Sequence, residues 1–296
     1  MPISSLLSLG KIAIKSRPTP NIPKKQDEEI LIIGNGPSAK SFLETSQSKA
    51  IKPSVLCVNK FAFGPYFKTI KPKYYLLLDG DFFHFNQEVF DDPKKHPRVQ
   101  IKPEFAEWQH QINETWKNLF TQDWGLTLFV PTTYKNSYMA KKARENGIRI
   151  VAFNYTVIKG IAGFRMLAYR WGLGMPQSQN VINAALFLSI KMQPKTVYIT
   201  GIDHDFHKNL VLENNTLFEE VSHFYTDKPF KHPLVHADGS GPVKLRQVFS
   251  NLHKVHVGYE ELHRYAKANG VEIYNITPSG FVDEFPRASA SAVFEP

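Results

Sequence analysis

The feature that most constrains the fold is a series of short runs that are apolar at nearly every position and alternate with helix-forming stretches. The runs span residues 30–33, 55–58, 74–78, 126–130, 148–153, 197–200 and 271–276. Strands of this composition are buried on both faces, and their spacing leaves room for helical crossovers between parallel neighbours. The sequence therefore predicts an α/β fold with a Rossmann-like, doubly wound and mostly parallel sheet.

Glycines and polar residues stand directly after several of these runs. They are Asn35, Gly36 and Ser38 after the first run, Asn59 after the second, Asp79 after the third, and Asp203 and His204 after the sixth. In an open parallel sheet, ligands bind outside the carboxyl ends of the strands, so these residues are expected to line one pocket. Glycines let the backbone approach a ligand closely, and free amides at a helix N-terminus favour phosphate. Pro37 and Ser38 also suit the first turn and cap of a helix, so a purely structural role for this turn stays open.

The turn after the first run, Gly34-Asn35-Gly36-Pro37-Ser38, differs from two common phosphate-binding motifs. Ala39 stands at the position of the third glycine of the motif G-x-G-x-x-G, so the motif is incomplete, which argues against a dinucleotide site. No lysine follows at the position that a P-loop requires. The remaining interpretation is a pocket for a nucleotide or a nucleotide sugar, with amide side chains for the base and ribose.

The pattern along the chain predicts four parts. Residues 1–27 form a basic leader, 28–203 a nucleotide-binding core, 204–255 a lid or acceptor segment, and 256–296 a C-terminal helix and strand that return to the core. Residues 181–192 are apolar almost all round, which predicts a helix packed deep against the sheet. Residues 204–255 are polar, aromatic and proline-containing without clear periodicity, which predicts an irregular lid insertion.

The net charge and the leader both indicate anionic partners. A formal net charge of +9 attracts nucleotides, acidic sugars, nucleic acid or acidic lipid. Residues 3–14 could form an amphipathic helix with Lys11, Lys15 and Arg17 on or beside its polar side. An anchor on an anionic membrane surface and a disordered leader are the two interpretations. Because we see neither a signal peptide nor a membrane-spanning run, we expect a cytoplasmic protein, peripheral on the inner face of the cell membrane under the first interpretation.

Cysteine content and the distribution of basic residues narrow the function classes. The single cysteine, Cys57, lies in an apolar run, where a buried small hydrophobe is expected. One cysteine excludes an intramolecular disulfide and a cysteine-based zinc cluster, which suits a reducing cytosol. Lysines and arginines are scattered and form no stripe with aromatic residues, so nucleic acid is not an expected partner.

Four segments of the chain resemble the bacterial sialyltransferases of glycosyltransferase family 42. The segments are LIIGNGPSAK, VLCVNKFAF, NVINAALFLSIKMQPKTVYITGIDHDF and YEELHRYAKANGVEIYNITPSGFVDEF, in the same order and with similar spacing. The chain also resembles a broader group, the DUF115 or MptE-like proteins, which includes flagellin nonulosonate transferases and an archaeal pterin diphosphokinase. The resemblance covers about half of the chain and implies the GT-A-like sialyltransferase variant of the Rossmann-like fold.

The resemblance also implies an activity and a set of donor contacts. An acidic sugar, such as sialic acid, a related nonulosonate or Kdo, would pass from a CMP-activated donor to an oligosaccharide or glycolipid of a lipopolysaccharide, capsule or other surface glycan. The donor would contact Asn35, Gly36, Ser38, Asn59, Gln179, Asn180, Asp203, Thr277, Pro278 and Ser279. No metal or cofactor is required, because local donors can stabilise a monophosphate leaving group. A homo-oligomer is compatible with the sequence.

Two departures from the sialyltransferase pattern concern the leaving group. The tyrosines that follow Gly-Ile-Asp in the family are absent, with Asp205 and Val211 near their positions, and the arginine ahead of the family's Ser-Gly pair is also absent. His204, His207 and Lys208 lie where they could supply the missing phosphate contacts.

Two histidines compete for the role of the general base that deprotonates the acceptor hydroxyl. His223 lies inside the predicted lid and resembles a Ser-His-aromatic segment of the family, and Tyr225 beside it is an acceptor-site candidate. His253 matches the position of the family's base when the chain is counted back from Pro278.

Two further functions stay open. The first is a phosphotransferase that uses Mg²⁺ and ATP and resembles the pterin diphosphokinase, and its cue is the set Asp79, Asp81, Asp203 and Asp205. The second is a catalytically silent nucleotide-binding module. A metal cluster within residues 203–207 is not expected, because adjacent residues of an extended segment point to opposite faces.

Overall fold

The structure is a computed structural model that describes residues 3–18, 22–96, 99–100, 105–221, 224, 230–236 and 241–295. The α-helices in this part of the chain are α1 (Ile3–Lys15), α2 (Ala39–Thr45), α3 (Phe67–Ile70), α4 (Gln87–Asp91), α5 (Ala106–Phe120), α6 (Tyr138–Glu145), α7 (Ala162–Arg170), α8 (Val181–Met192) and α9 (Leu245–Ala268). The strands are β1 (Glu29–Ile33), β2 (Ser54–Val58), β3 (Tyr74–Leu76), β4 (Thr127–Pro131), β5 (Arg149–Phe153), β6 (Thr196–Thr200), β7 (Leu210–Glu213), β8 (Thr216–Val221), β9 (Phe230–Pro233) and β10 (Glu272–Asn275). Short 3₁₀ turns cover Asn59–Phe63, Gly80–Phe82, Pro93–Lys95, Thr132–Tyr134, Phe206–Asn209 and Ala290–Val293.

The larger sheet has seven parallel strands in the order β10-β6-β1-β2-β3-β4-β5. The chain runs outward from β1 to β5 and then crosses back to place β6 and β10 on the other side of β1. This is the predicted Rossmann-like arrangement, and all seven predicted strands are confirmed to within two residues at each end. The strand order reverses between β1 and β6, and sheets of this type bind ligands in the crevice at the carboxyl ends of the strands beside such a reversal.

Both faces of this sheet are covered by helices. In β1, Ile30 and Ile32 enter one hydrophobic cluster with residues of α8 and α9, whereas Leu31 and Ile33 enter another with residues of α2, α5 and α6. Helix α8 is buried on almost every side, as its sequence predicts. Strands between two such layers need apolar side chains at every position, which explains the continuous apolar runs in the sequence.

The prediction of irregular structure over residues 204–255 is wrong in two places. Strands β7, β8 and β9 form a three-stranded antiparallel sheet, and α9 already begins at Leu245. Asn214 and Asn215 join β7 to β8 with φ angles of 47° and 59°, and a two-residue turn of this kind favours a tight hairpin. The Asn-Asn pair was the sequence signal for this hairpin.

The leader contains the predicted helix, so its interpretation as disordered is wrong for α1. This helix buries Ser5 and Ser8 and leaves most of its leucines and isoleucines exposed. Within the described residues, no helix combines the length and the apolar character that crossing a membrane requires.

We expect Gly34→Ala to lower the free energy of unfolding by about 2–3 kcal/mol. A Cβ at Gly34 would lie 2.4 Å from the carbonyl oxygen of Gly201, so the loops after β1 and β6 would have to separate. Gly125→Ala is the matched control, because a Cβ there has no neighbour within 4 Å. Equal urea midpoints for the two variants would contradict this account of the loop contact.

Candidate functional site

The loops that follow β1 and β6 pack directly on each other at the carboxyl edge of the sheet. The Gly36 amide donates to the Gly201 carbonyl at 3.0 Å, and the Ser38 hydroxyl donates to Oδ2 of Asp203 at 2.8 Å. A Cβ on Gly36 would lie 2.0 Å from the same carboxylate oxygen, so this position requires glycine. Ser38 makes no side-chain capping bond to α2. The glycine turn therefore has a structural role, which is loop-to-loop packing.

Other predicted donor residues link neighbouring strand ends. Nδ2 of Asn35 donates to the carbonyl of Val58 at 3.2 Å, and Oδ1 of Asn59 accepts from the amide of Leu78 at 3.3 Å. Asn59 has a φ of 46°, a left-handed conformation that asparagine adopts more readily than most residues. The structure thus brings the polar residues after β1, β2 and β6 to one edge, as the strand pattern predicts.

The loop that follows β10 closes over Asp203. Arg287 donates to the carbonyls of Thr277 and Gly280 at 2.6 Å and 3.0 Å. A Cβ on Gly280, which has a φ of 111°, would lie 2.5 Å from the carbonyl oxygen of Asp203. Burial raises the pKa of the Asp203 carboxyl, and its hydrogen bonds with Ser38 oppose this rise. Asp203 therefore serves as an anchor that joins the loops after β1, β6 and β10.

A second group of polar side chains lies beside this edge, between α8 and α9. Nε2 of His204 and the hydroxyl of Tyr259 are 2.6 Å apart, and the two rings are nearly parallel. Nδ2 of Asn180 lies 3.1 Å from that histidine nitrogen and 3.2 Å from the tyrosine oxygen. Asn180 is also the N-cap of α8, where its Oδ1 accepts from the Asn183 amide at 2.9 Å. Two predicted donor residues, His204 and Asn180, are therefore in contact.

His204 is held as a neutral imidazole in an uncommon backbone conformation. Burial, followed by the neighbouring His256, lowers the pKa of His204 to about 4. Burial also raises the pKa of Tyr259, so the phenol donates to Nε2 and the imidazole carries its proton on Nδ1. The φ of His204 is 48°, and non-glycine residues in this region cluster at functional sites. A neutral imidazole of this kind can donate a hydrogen bond to an anionic oxygen.

His256, one turn before Tyr259 on α9, forms a hydrogen-bonded pair with Glu284. Nδ1 of His256 lies 2.6 Å from Oε1 of Glu284, whose side chain is only 8% exposed. The rings of His256 and His204 are 6.5 Å apart. A buried carboxylate that accepts from Nδ1 fixes the ring and leaves Nε2 as the basic atom. This pair is not among the residues predicted from the sequence, and its signal there is the His-x-x-Tyr spacing within a helix that begins earlier than predicted.

Gly258 lets α9 approach α8 closely enough to assemble this cluster. A Cβ on Gly258 would lie 2.4 Å from the carbonyl oxygen of Gln177 and 2.6 Å from Nδ2 of Asn183. Nδ2 of Asn183 in turn donates to the carbonyl of Val255 at 3.3 Å. The N-terminus of α8 is therefore fixed against the middle of α9.

Several predicted residues lie outside this cluster. His223 and Tyr225, the lid candidates, fall outside the described residues. The exposed members of the predicted set are Asp79, Gln179, Lys208, His253, Pro278 and Ser279. His253 lies on α9, three residues before His256, and its side chain makes no hydrogen bond within the described part of the chain.

His207 and Lys208, the candidate phosphate contacts, both pack against Phe281. The rings of His207 and Phe281 are 4.6 Å apart and nearly perpendicular, and Nζ of Lys208 lies 4.7 Å from the phenyl centroid. The Phe281 amide donates to the Asp203 carbonyl at 2.9 Å. The structure therefore places the pair beside the loop that follows β10.

Lys60 is a buried cation at the end of β2. Its Nζ donates to Oε1 of Gln111 at 2.7 Å and lies 3.6 Å from the centre of the Trp108 ring. Burial lowers the pKa of Lys60 to about 8, against the carboxylates of Asp79 and Glu107, which raise it. Both the amide and the indole belong to α5, so this amine joins α5 to the edge of the sheet.

One group of side chains in the described residues is arranged so that it could hold a cation. His256, Asp283 and Glu284 each offer a ligand atom, and these atoms lie within 4.8 Å of one another. The aspartates considered for magnesium, which are Asp79, Asp81, Asp203 and Asp205, form no such group in the part of the chain that the structure describes. Magnesium prefers oxygen ligands in octahedral geometry, so a group that contains an imidazole is a poor magnesium site.

Comparisons with known proteins include a distant structural similarity. No protein-family model matches the chain, and no curated protein matches it. The solved structure of the MAf glycosyltransferase from Magnetospirillum magneticum AMB-1 is similar with a TM-score of 0.46 and 10% sequence identity. The match covers 98% of this chain and 38% of that protein, so this chain spans well under half of its length. A similarity of this degree carries no information about the reaction.

The depressed pKa of His204 predicts a pH dependence of stability. The unfolded chain binds the imidazole proton near pH 6.5 and the folded chain only near pH 4. The contribution of His204 to folding is therefore complete above pH 6.5 and is lost as the pH falls towards 4. We expect the urea midpoint of His204→Asn to depend less on pH between 6.5 and 4 than that of the unsubstituted protein. Asparagine is chosen because it tolerates the left-handed backbone conformation at this position.

The control for this measurement is His110→Asn, because His110 is an exposed histidine on α5. This variant should keep the slope of the unsubstituted protein. Identical slopes for all three proteins would show that His204 does not stay neutral in the folded state.

Proposed function

We propose that this protein is a glycosyltransferase that transfers an acidic sugar from a CMP-activated donor to a glycan acceptor. The observation that carries the proposal is the convergence of Asn180, His204, Tyr259 and His256 beside the carboxyl ends of β1 and β6. Ligands of Rossmann-like folds bind at this switch in strand order. The resemblance to family 42 sialyltransferases supplies the donor class, and the acceptor is an oligosaccharide or a glycolipid.

The donor occupies the crevice with its phosphate near the N-terminus of α8. The Gly36 amide and the Ser38 hydroxyl already bond within the protein, so the phosphate is better served by α8 and by His204. The first turn of a twelve-residue helix favours an anion, and here only the amide of Asn183 is bonded to the Asn180 cap among the bonds described. Asn35 and Asn59 then lie on the side of β1 and β2, where the nucleoside extends.

In the proposed reaction, His256 is the general base. Its Nε2 takes the proton from the acceptor hydroxyl as the hydroxyl oxygen bonds to the anomeric carbon of the sugar. The bond between that carbon and the phosphate oxygen breaks, and CMP leaves with the electron pair. Glu284 holds the imidazole by its Nδ1 and stabilises the imidazolium that forms. His204 donates from Nδ1 to the leaving phosphate, with His207 and Lys208 as further contacts.

Nucleotide selectivity tests the donor class and the metal requirement. We expect CMP to raise the melting temperature more than CDP, UDP, GDP or ATP, and the rise to persist with EDTA, because the proposed contacts are all protein groups. Near saturation the shift should be several degrees, since each kcal/mol of binding linkage raises Tm by about 2–4 °C in a domain of this size. A rise only with ATP and Mg²⁺ would reject the proposal.

Substitution of single histidines tests the assignment of the base. We expect His256→Ala to lower kcat by about a hundredfold or more while the affinity for CMP stays nearly constant, because a base acts in the transition state. His110→Ala is the control for loss of an exposed histidine. A loss in His223→Ala or His253→Ala, with His256→Ala active, would move the role to the earlier candidates.

The alternative functions make different demands on the same crevice. A phosphotransferase of the MptE-like type needs magnesium, and the aspartates cited for it do not group in the described residues. A catalytically silent module would bind CMP and yet transfer no sugar from CMP-activated sialic acid or Kdo in the presence of glycan acceptors.

A further inference from the structure

Helix α1 packs on the protein with its polar side inward. Its buried residues are Ser5 and Ser8, and the hydroxyls of these serines accept hydrogen bonds from the amides of Ile161 and Lys159 at 3.2 Å and 2.8 Å. At the other end, the hydroxyl of Ser16 donates to the carbonyl of Leu173 at 2.5 Å. An ordinary surface helix has the opposite arrangement, with its apolar side inward.

The apolar residues of α1 consequently face outward. Ile3, Leu6, Leu7 and Ile14 are 77%, 55%, 63% and 71% exposed. Only Ile12 of this helix packs against the core cluster. The hydrogen bonds of Ser5 and Ser8 fix this orientation. The apolar side of α1 therefore faces outward while the helix is packed on the protein.

The segment of residues 161–173, which contains α7, also exposes apolar residues. It contacts α1 at both ends, through Ile161 near Ser5 and through Leu173 near Ser16. Three of its large apolar residues are exposed, which are Ile161 (50%), Leu167 (43%) and Trp171 (65%). We call the exposed apolar residues of α1 and of this segment the α1–α7 surface. Large apolar residues exposed on two segments that contact each other are typical of an interaction site.

All charged residues in the two sequence segments that form the α1–α7 surface are basic. Residues 1–26 and 146–202 contain no Asp or Glu. The exposed basic residues on and beside the two helices are Lys11, Lys15, Arg17, Lys159 and Arg170. None of these five pairs with a carboxylate in the described residues. Arg165, which is partly buried, is different, because it forms a bidentate pair with Glu261 of α9 and so ties α7 to the core.

We propose that the α1–α7 surface docks on an anionic lipid bilayer. Exposed leucines, isoleucines and a tryptophan suit the boundary between headgroups and acyl chains, and unpaired lysines and arginines suit anionic headgroups. A second copy of this chain fits less well, because a two-fold interface would bring the same basic residues together. The proposal is independent of the reaction proposed above, because none of these residues belongs to the crevice.

Co-sedimentation of the full chain with vesicles tests the proposal. We expect binding to phosphatidylcholine vesicles that contain phosphatidylglycerol, and little binding to pure phosphatidylcholine. Lys11→Gln/Lys15→Gln and Leu6→Ser/Leu7→Ser should each weaken binding by about tenfold or more. Leu212→Ser is the control, because Leu212 is equally exposed, at 65%, on β7. All these side chains are exposed, so the melting temperatures should stay unchanged.

Tryptophan fluorescence gives a second readout of the orientation. Brominated lipid in the anionic vesicles should quench part of the emission, and Trp171→Phe should abolish this quenching. The other tryptophans, which are Trp108, Trp116 and Trp124, pack in or against the second core cluster, whereas α1 and α7 pack against the first. Equal binding of the variants and the unsubstituted protein would overturn the proposal. A dimer in sedimentation velocity that dissociates in Leu6→Ser/Leu7→Ser would instead assign the surface to a second copy.

Discussion

The close contact between the loops after β1 and β6 is the constraint on which the rest of the site depends. A side chain on Gly34 would meet the carbonyl of Gly201, and a side chain on Gly201 would meet the carbonyl of Gly34. Asp203 then joins this contact to Ser38 and to the loop after β10. The loop after β1 binds the carboxylate of Asp203 and the loop after β10 binds its main-chain carbonyl. His204, the next residue, has a left-handed conformation and contacts Asn180 at the start of α8 and Tyr259 of α9. The polar cluster forms where these elements meet.

The cluster separates two histidines by their surroundings. His204 is buried against Tyr259 and stays neutral, which suits a hydrogen-bond donor to an anion. His256 is oriented by a buried carboxylate, which suits a base. The two rings lie 6.5 Å apart, a separation at which one substrate could touch both. A glycosyl transfer needs both kinds of group, because the leaving phosphate needs a hydrogen-bond donor and the attacking hydroxyl needs a base that takes its proton.

Helix α1, which packs with its serine side inward, adds a proposed membrane-binding surface to the protein. Serine hydroxyls replace apolar contacts at its inner side, so docking of α1 consumes few of its apolar residues. The apolar residues of α1 then remain exposed and could contact a lipid bilayer. They lie next to lysines and arginines that form no ion pair with a carboxylate of the described residues. An enzyme whose acceptor is a glycolipid benefits from such a surface, because attachment confines the enzyme to the plane in which its acceptor lies.

Much of the fold followed from the sequence, because strands buried on both faces must be apolar throughout and this pattern is local. The predicted polar residues at the strand ends also lie at one edge, since parallel strands end together. Only the tertiary structure showed that Gly36 and Ser38 bind other loops, because that contact joins residues far apart in the chain. It also showed that His256 of α9 meets Glu284 of the loop after β10, a contact between residues 28 positions apart in the chain. The sequence by itself determined the layers of helices and sheet and the polar edge at the carboxyl ends of the strands. The packing of loops and helices decided which side chains face one another.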